Sequence, residues 1–499
     1  TVNFTIGAEF DGASAVIGKM DDVRLYNVAL TGNEIRDMLG LPPLPVAHWT
    51  FDEEVVVDAN DPNDPDATIT IAPDVSGNGY DGILTSVDPN AVGPVIMDGV
   101  LVCDGNGFVD IPVEAWNDNI CEGYTVSFRM SIDTVHSTVP VTARGENNKF
   151  NRNFSCHAPW SNGIVYFDTR TEAKYDRISV GGTQDQWLGK WVDWTFVYSP
   201  GLMEIYLDGV LFLSGAKVND IVLQDTVNFT IGAEFDGASA VIGMMDDVCL
   251  YDVALTGDEI RDILGLPPLP VAHWTFDEVV VVDANDPNDP NATISIVPDV
   301  SGNGYDGTLE GDVTLVAGQH GLAASINTKE AAVVVPGEAW NDNIPDANSF
   351  SFCIWVNVSA DSWATASTLF RGGGATNRAF QCHFPWTGGQ IIWDQTNAGR
   401  ANLGSVWDAA WNDEWTHAAF VYEDGGARQL YVNGEALLDT TDSGAVPTDM
   451  NNIWLGNGQD NDGVLNRGIE GLIDDVRLYD TVLTGEEIQD IFGIVAEVE

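Results

Sequence analysis

Two short segments, FSCHAPW at 154–160 and FQCHFPW at 380–386, hold the residue types best suited to gripping a small polar ligand. In an extended chain, alternation turns Phe154 with Cys156, and Phe380 with Cys382, towards a core. The same alternation predicts that His157 and His383 face the other way and are exposed. Trp160 and Trp386 follow, and an indole stacks on the apolar C–H face of a sugar ring while planar polar groups hold its hydroxyls. Arg144, Arg152 and Asp168 near the first segment, with Arg371, Arg378 and Asp394 as rough counterparts near the second, are the candidate grips. The same residues also suit a structural reading, in which the Trp plugs one end of a β-sandwich and an Arg–Asp pair braces a hairpin. Both readings stand at this point.

A second chemistry is the collection of oxygens by a hard cation. The string DVSGNGYDG occurs at Asp74 and again at Asp299, and DD pairs follow at Asp246 and Asp474. Carboxylates, Asn side chains and backbone carbonyls are what calcium gathers, six to eight at a time. The alternative is that Asp74 and Asp299 open Asx-turns and the Asn-Gly pairs are simple turns. The runs DANDPNDPDAT at Asp58 and DANDPNDPNAT at Asp283 lack the sixth-position Gly of an EF-hand loop, and read as solvated acidic loops. Zinc is not expected, because adjacent Cys and His on a strand point to opposite faces and no HExxH or paired CxxC occurs.

The elements that must position these groups follow from composition and repetition. The 499 residues are 44% hydrophobic and 10% aromatic, enough apolar surface to fold, and too many residues for one ordinary domain. Against 76 acidic residues stand 20 Lys plus Arg, a formal charge of −56. That charge repels phosphate backbones and anionic membranes, which excludes nucleic acid as a partner. No apolar run reaches the ~18 residues of a membrane span, so membrane insertion is not expected. Six cysteines are too few and too scattered for a disulfide framework, and most read as buried thiols.

Residues 1–53 recur at 226–278 with five differences, and the register continues downstream through EAWNDNI at 114 and 338 and YLDG and YVNG at 206 and 431. Two complete units result, 46–265 and 271–493, joined by a Pro-rich LGLPPLP linker. Residues 1–40 then match the last strands and helix of a further, upstream unit. The ends of the units are nearly identical while the middles differ. Each unit is dominated by β-branched and aromatic segments such as TVSFRM, GIVYFD and WVDWTFVY, broken by Gly, Asn and Asp. Asp208-Gly209 and Asn433-Gly434 predict tight hairpins. One helix is predicted, LTGDEIRDILG, with Thr256 and Glu259 at capping-box spacing, an apolar face of Ile260, Ile263 and Leu264, and Gly265 to close it.

HWTFDE followed by DVSGNGYDG, a central W…W-x-F-V-Y…YLDG passage and a closing IDDVRLYDTVLTGEEI resemble the laminin-G-like, concanavalin A-like jelly-roll domains of bacterial surface and secreted proteins. The resemblance covers both complete units and the opening fragment. It implies an all-β fold of tandem jelly-roll sandwiches, each with one short C-terminal helix. It also implies a structural calcium ion where the ends of a unit meet, held by Asp74, Asn78 and Asp246 in the first and by Asp299, Asn303 and Asp474 in the second. The glucanases of this fold carry a strand resembling E-x-D-x-x-E. The nearest string, EFDGAS at Glu234, has Ser239 in place of the second Glu, and GNGQDN in the next unit lacks the first as well. A retaining pair about 5 Å apart is therefore missing, and catalysis is not expected. The expected role is a calcium-stabilised, non-catalytic carbohydrate-binding or adhesion region outside the cell, contacting a glycan or a cell-surface protein. Self-association as a surface array is the rival, and service as the accessory region of a secreted glycan-active enzyme a third reading.

Overall fold

Alternation of apolar and polar residues generates strands that can bury one face, and two such sheets per unit close on each other. The computed structural model describes residues 23–39, 41–59, 64, 66–88, 93–145, 151–170, 175–181, 186–216, 225–284, 291–344, 349–359, 369–372, 380–386, 388–395, 399–405, 407–423, 428–440, 450–458 and 467–493. The strands expected in residues 1–22, Arg378 and much of both acidic runs lie outside the described residues. The chain divides into two compact units, Thr1–Leu264 and Gly265–Glu499.

In the first unit an eight-stranded antiparallel sheet runs, edge to edge, Val210–Ala216, Leu202–Leu207, Val192–Ser199, Tyr124–Ile132, Ile242–Tyr251, Val100–Asp104 and Val95–Met97. Its eighth strand, Ala47–Trp49, pairs with the far end of Ile242–Tyr251, so the two ends of the unit lie side by side. The facing sheet has nine strands: Tyr175–Gly181, Ile164–Arg170, Arg152–His157, Val141–Arg144, Asn228–Ile231, Gly107–Ile111, Gly82–Ser86, Thr68–Ala72 and Val55–Asp58. Between them lies a core of Trp49, Trp116, Phe128, Phe154, Phe167 and Trp194 with their neighbours. The second unit repeats both sheets, and there Ala272–Trp274 pairs with Gly471–Tyr479. This is the all-β tandem sandwich that the strand pattern predicts.

Local chemistry sets the corners. Asp208-Gly209 and Asn433-Gly434 all have φ between 49° and 78°, as a tight hairpin of right-twisted strands requires. At Gly243 φ is 150° and a Cβ would sit 2.1 Å from the Ser131 carbonyl oxygen, so the central strand passes its neighbour only as glycine. The helix Gly257–Ile263 has its full capping box, with Thr256 and Glu259 each accepting the other's backbone N–H. All six cysteines are free, five buried and Cys121 exposed. No helix among the described residues is long and apolar enough to cross a membrane.

Candidate functional site

On the nine-stranded sheet of the first unit, the face turned away from the core carries one polar row across six strands. Register places Asp110 beside Thr230, then Thr142, Ser155, Asp168 and Arg177 in turn. The strand alternation that sends Phe154, Cys156, Val165 and Phe167 inward sends this row outward.

Asp168 is the centre of the site. Its side chain is wholly buried, yet it receives hydrogen bonds from Arg152 and from both the Nε and Nη2 groups of Arg177, the latter at 2.8 Å. Burial works to raise the carboxyl, but the Arg177 hydrogen bond and the Arg152 charge outweigh it and hold it at about 2. Arg177 lies 4.3 Å from the centre of the Tyr166 ring, and both arginines lie over Tyr175. Arg152, His157, Trp160, Tyr166 and Arg177 enclose a pocket of about 160 Å³. Chemically it offers fixed cationic donors and two aromatic walls, a combination that grips a planar or ring-shaped polar ligand.

His157 corrects an expectation. Alternation does turn it off the core, but it is buried, at 3% exposure, because Trp160 packs on it at 4.6 Å and Tyr166 at 5.8 Å. Its Nδ1 donates to the Thr138 carbonyl at 3.2 Å, and Nε2 accepts from Arg152 at 3.2 Å. The half-buried Trp160 is thus the indole that reaches solvent, with His157 as its backing. His383 is likewise buried, at 1%, bonded to the Gln381 amide and packed 4.1 Å from Trp386.

The arginines also move from their expected pairing. Arg144 is buried but turns to Glu234, at 2.8 Å, instead of joining Asp168. Arg371 is the register counterpart of Thr142, not of Arg144, since Gln381 opposes Arg371 as Ser155 opposes Thr142. In the second unit the row therefore reads Trp454, Arg371, Gln381, Asp394. Ile392 takes the place of Tyr166, and Arg467 lies 5.9 Å from the Trp386 ring. The two units share a frame but present different surfaces. Tyr166 and Arg177 were missed from sequence. Tyr166 was readable, being two residues from Asp168 on one strand. Arg177 was not, because the strand YDRISVG gives only a weak apolar pattern.

The calcium expectation meets a different geometry. The Asp74 carboxylate accepts the backbone N–H groups of His48, Ser76 and Tyr80 and the Ser76 hydroxyl, at 2.9 to 3.0 Å. Asn78 donates its amide to the Val46 carbonyl at 2.9 Å. Asp299 and Asn303 repeat these bonds in the second unit. Lone pairs already directed at N–H and O–H donors do not serve a cation, so the motif is an Asx-turn that staples the first strand. Asp246 and Asp474 accept other backbone N–H groups, that of Asp247 in the first unit and those of His320 and Asp475 in the second. Burial first, and a neighbouring Asp second, push Asp246 up to about 6, while burial and Asp475 push Asp474 up to about 7. Among the described residues no three His, Cys, Asp or Glu side chains converge as a metal site. The six residues do not fit a shared calcium ion in either unit.

A model of the concanavalin A-like lectin/glucanases superfamily, Laminin_G_3, matches residues 104–261 and 327–489, and the chain belongs to that family. Solved structures are similar more distantly. Domain 4 of AbnA, an extracellular arabinanase from Geobacillus stearothermophilus in complex with arabinotriose, is 22% identical, with 45% of this chain and 98% of that one covered and a TM-score of 0.32. The Ruminococcus gnavus IT-sialidase CBM40 bound to α2,3 sialyllactose is 13% identical over 30% of this chain and 86% of that one, with a TM-score of 0.26. The botulinum neurotoxin serotype D ligand-binding domain, in complex with N-acetylneuraminic acid, is 10% identical, covering 88% and 97%, at 0.32.

Proposed function

We propose that the chain is a non-catalytic carbohydrate-binding region of an extracellular repeat protein, with its main site at the Trp160–Asp168–Arg177 pocket of the first unit. The observation that carries this is the pocket itself: a solvent-reaching indole, a second aromatic wall and an arginine pair pre-oriented by a buried carboxylate, on a sheet face of a lectin-type fold. Side chains already held in place by Asp168 lower the ordering cost of binding. Binding per unit is weak, and repetition of units multiplies it.

The test is a glycan array probed with the full chain and with Trp160→Ala, in calcium and in EDTA, with melting recorded in parallel. Loss of binding in Trp160→Ala at unchanged melting temperature is expected, and EDTA is expected to shift melting by less than about 3 °C, the equivalent of ~1 kcal/mol for a domain this size. Undiminished binding by Trp160→Ala would overturn the site. A larger EDTA effect would restore an ion to the fold.

A further inference from the structure

The outer face of the eight-stranded sheet differs between the units along one register row. In the second unit it reads Tyr431, Ala419, Cys353, Arg477, His273. Arg477 fills its place there, bonded to Asp475 at 2.8 and 2.9 Å, and His273 holds the same carboxylate. On the adjoining row Trp355 stacks on Phe492, 5.5 Å away and 23° from parallel, with His417 beside it. This place is closed. In the first unit the row reads Tyr206, Thr195, Ser127, Cys249, His48, and the adjoining positions are Arg129 and Asp193. Cysteine for arginine and a charged pair for the aromatic plug leave a cavity of about 520 Å³, walled on one side by the linker residues Leu41 to Pro45.

Cys249 lines that cavity together with His48 and Asp247. The His48 imidazole bonds Asp247 at 3.1 Å, and strand register sets His48 directly opposite Cys249. The Asp247 bond first, and the sulfur second, push His48 up to about 10, so its ring is a proton donor at neutral pH. Cys103, Cys156 and Cys382 are buried within the sandwiches and Cys353 beneath the C-terminal helix of the second unit, and burial pushes each thiol up. Cys249 is set apart from them by its cavity and its imidazole.

We propose that this cavity is a thiol–disulfide exchange site, in which Cys249 takes up a low-molecular-weight disulfide carrying both ammonium and carboxylate groups, of the cystine type. Asp193 and Asp247 face the ammonium groups, and Arg129 and Arg36 the carboxylates. In the exchange Cys249 gives its proton to water and its sulfur attacks one sulfur of the disulfide. The old S–S bond breaks, a mixed disulfide forms on Cys249, and the departing thiolate takes a proton from His48. One thiol and one disulfide enter, and one thiol and one disulfide leave.

The experiment uses the full chain carrying Cys121→Ser, which removes the exposed thiol, incubated with cystine and read by intact mass and peptide mapping. One cysteinyl group per folded chain, mapped to Cys249, is expected. It should be absent when Cys249→Arg is added, which installs the side chain that closes the cavity in the second unit. His48→Asn should slow the exchange about 10²-fold, the scale of a lost general acid, with melting unchanged. An uncharged disulfide, 2-hydroxyethyl disulfide, should react about fivefold more slowly than cystine, the upper scale of one exposed ion pair. An adduct that forms only after unfolding, or that persists with Cys249→Arg, would overturn the site. Equal rates with the uncharged disulfide would overturn the ligand class, and an unchanged rate in His48→Asn would overturn the proton route.

Discussion

Asp168 shares its buried carboxylate between Arg152 and Arg177, and that sharing makes two long cations rigid enough to be a binding surface. Removing the charge leaves both guanidiniums facing an uncompensated site. Asp168→Asn is expected to cost about 3–5 kcal/mol at pH 7, the range for breaking one partner out of a buried ion cluster. Because the folded carboxyl sits at about 2, below the ~3.9 of an unfolded Asp, its contribution is present above pH ~4 and lost as pH falls from there towards ~2. The gap between wild type and variant in urea unfolding should therefore narrow across that window; a constant gap would show that the loss comes from packing instead of charge. His157 teaches the same lesson of context. Period-two alternation chose its face correctly, but exposure was decided by Trp160, beyond the end of its strand, and by Tyr166 on the paired strand, which close over it.

At the scale of elements, two helices with almost the same sequence have different fates. Gly257–Ile263 and Gly32–Met38 each begin with a Thr–Glu box. Only the first buries its apolar face, where Ile260 packs with Tyr206, Tyr251 and Leu255. Thr256→Ala should therefore cost about 1 kcal/mol and lower the melting temperature of its unit by about 2–4 °C. Thr31→Ala should leave melting unchanged, since its helix adds little to the cooperative core. Equal effects from the two substitutions would show that the opening helix is docked as firmly as its twin.

For the whole molecule, duplication is the organising fact. Two units carry the same pair of sheets, the same Asx-turn at the joined ends and nearly the same linker, while their polar rows and outer cavities differ. A frame held constant with changed surfaces is what a repeat protein needs to recognise more than one ligand along its length. A full chain that sediments as a monomer at micromolar concentrations would remove the surface-array role.

The sequence by itself determined the fold class, the two units, both hairpin turns and the capped helix, because each rests on short-range rules of periodicity, turn chemistry and capping that act within about ten residues. It also singled out Trp160, Asp168 and their counterparts as chemically able groups. Only the tertiary structure decided what those groups meet. Arg177 reaches Asp168 across a strand pairing, Arg144 is drawn to Glu234 instead, and one Asp74 oxygen is taken by the backbone N–H of His48, 26 residues earlier. The cavity beside Cys249 is the extreme case, since it exists through the absence of an arginine that the other unit places there. Contacts between segments distant in sequence depend on register and on which side chain fills a shared space, and neither is written in any local stretch of residues.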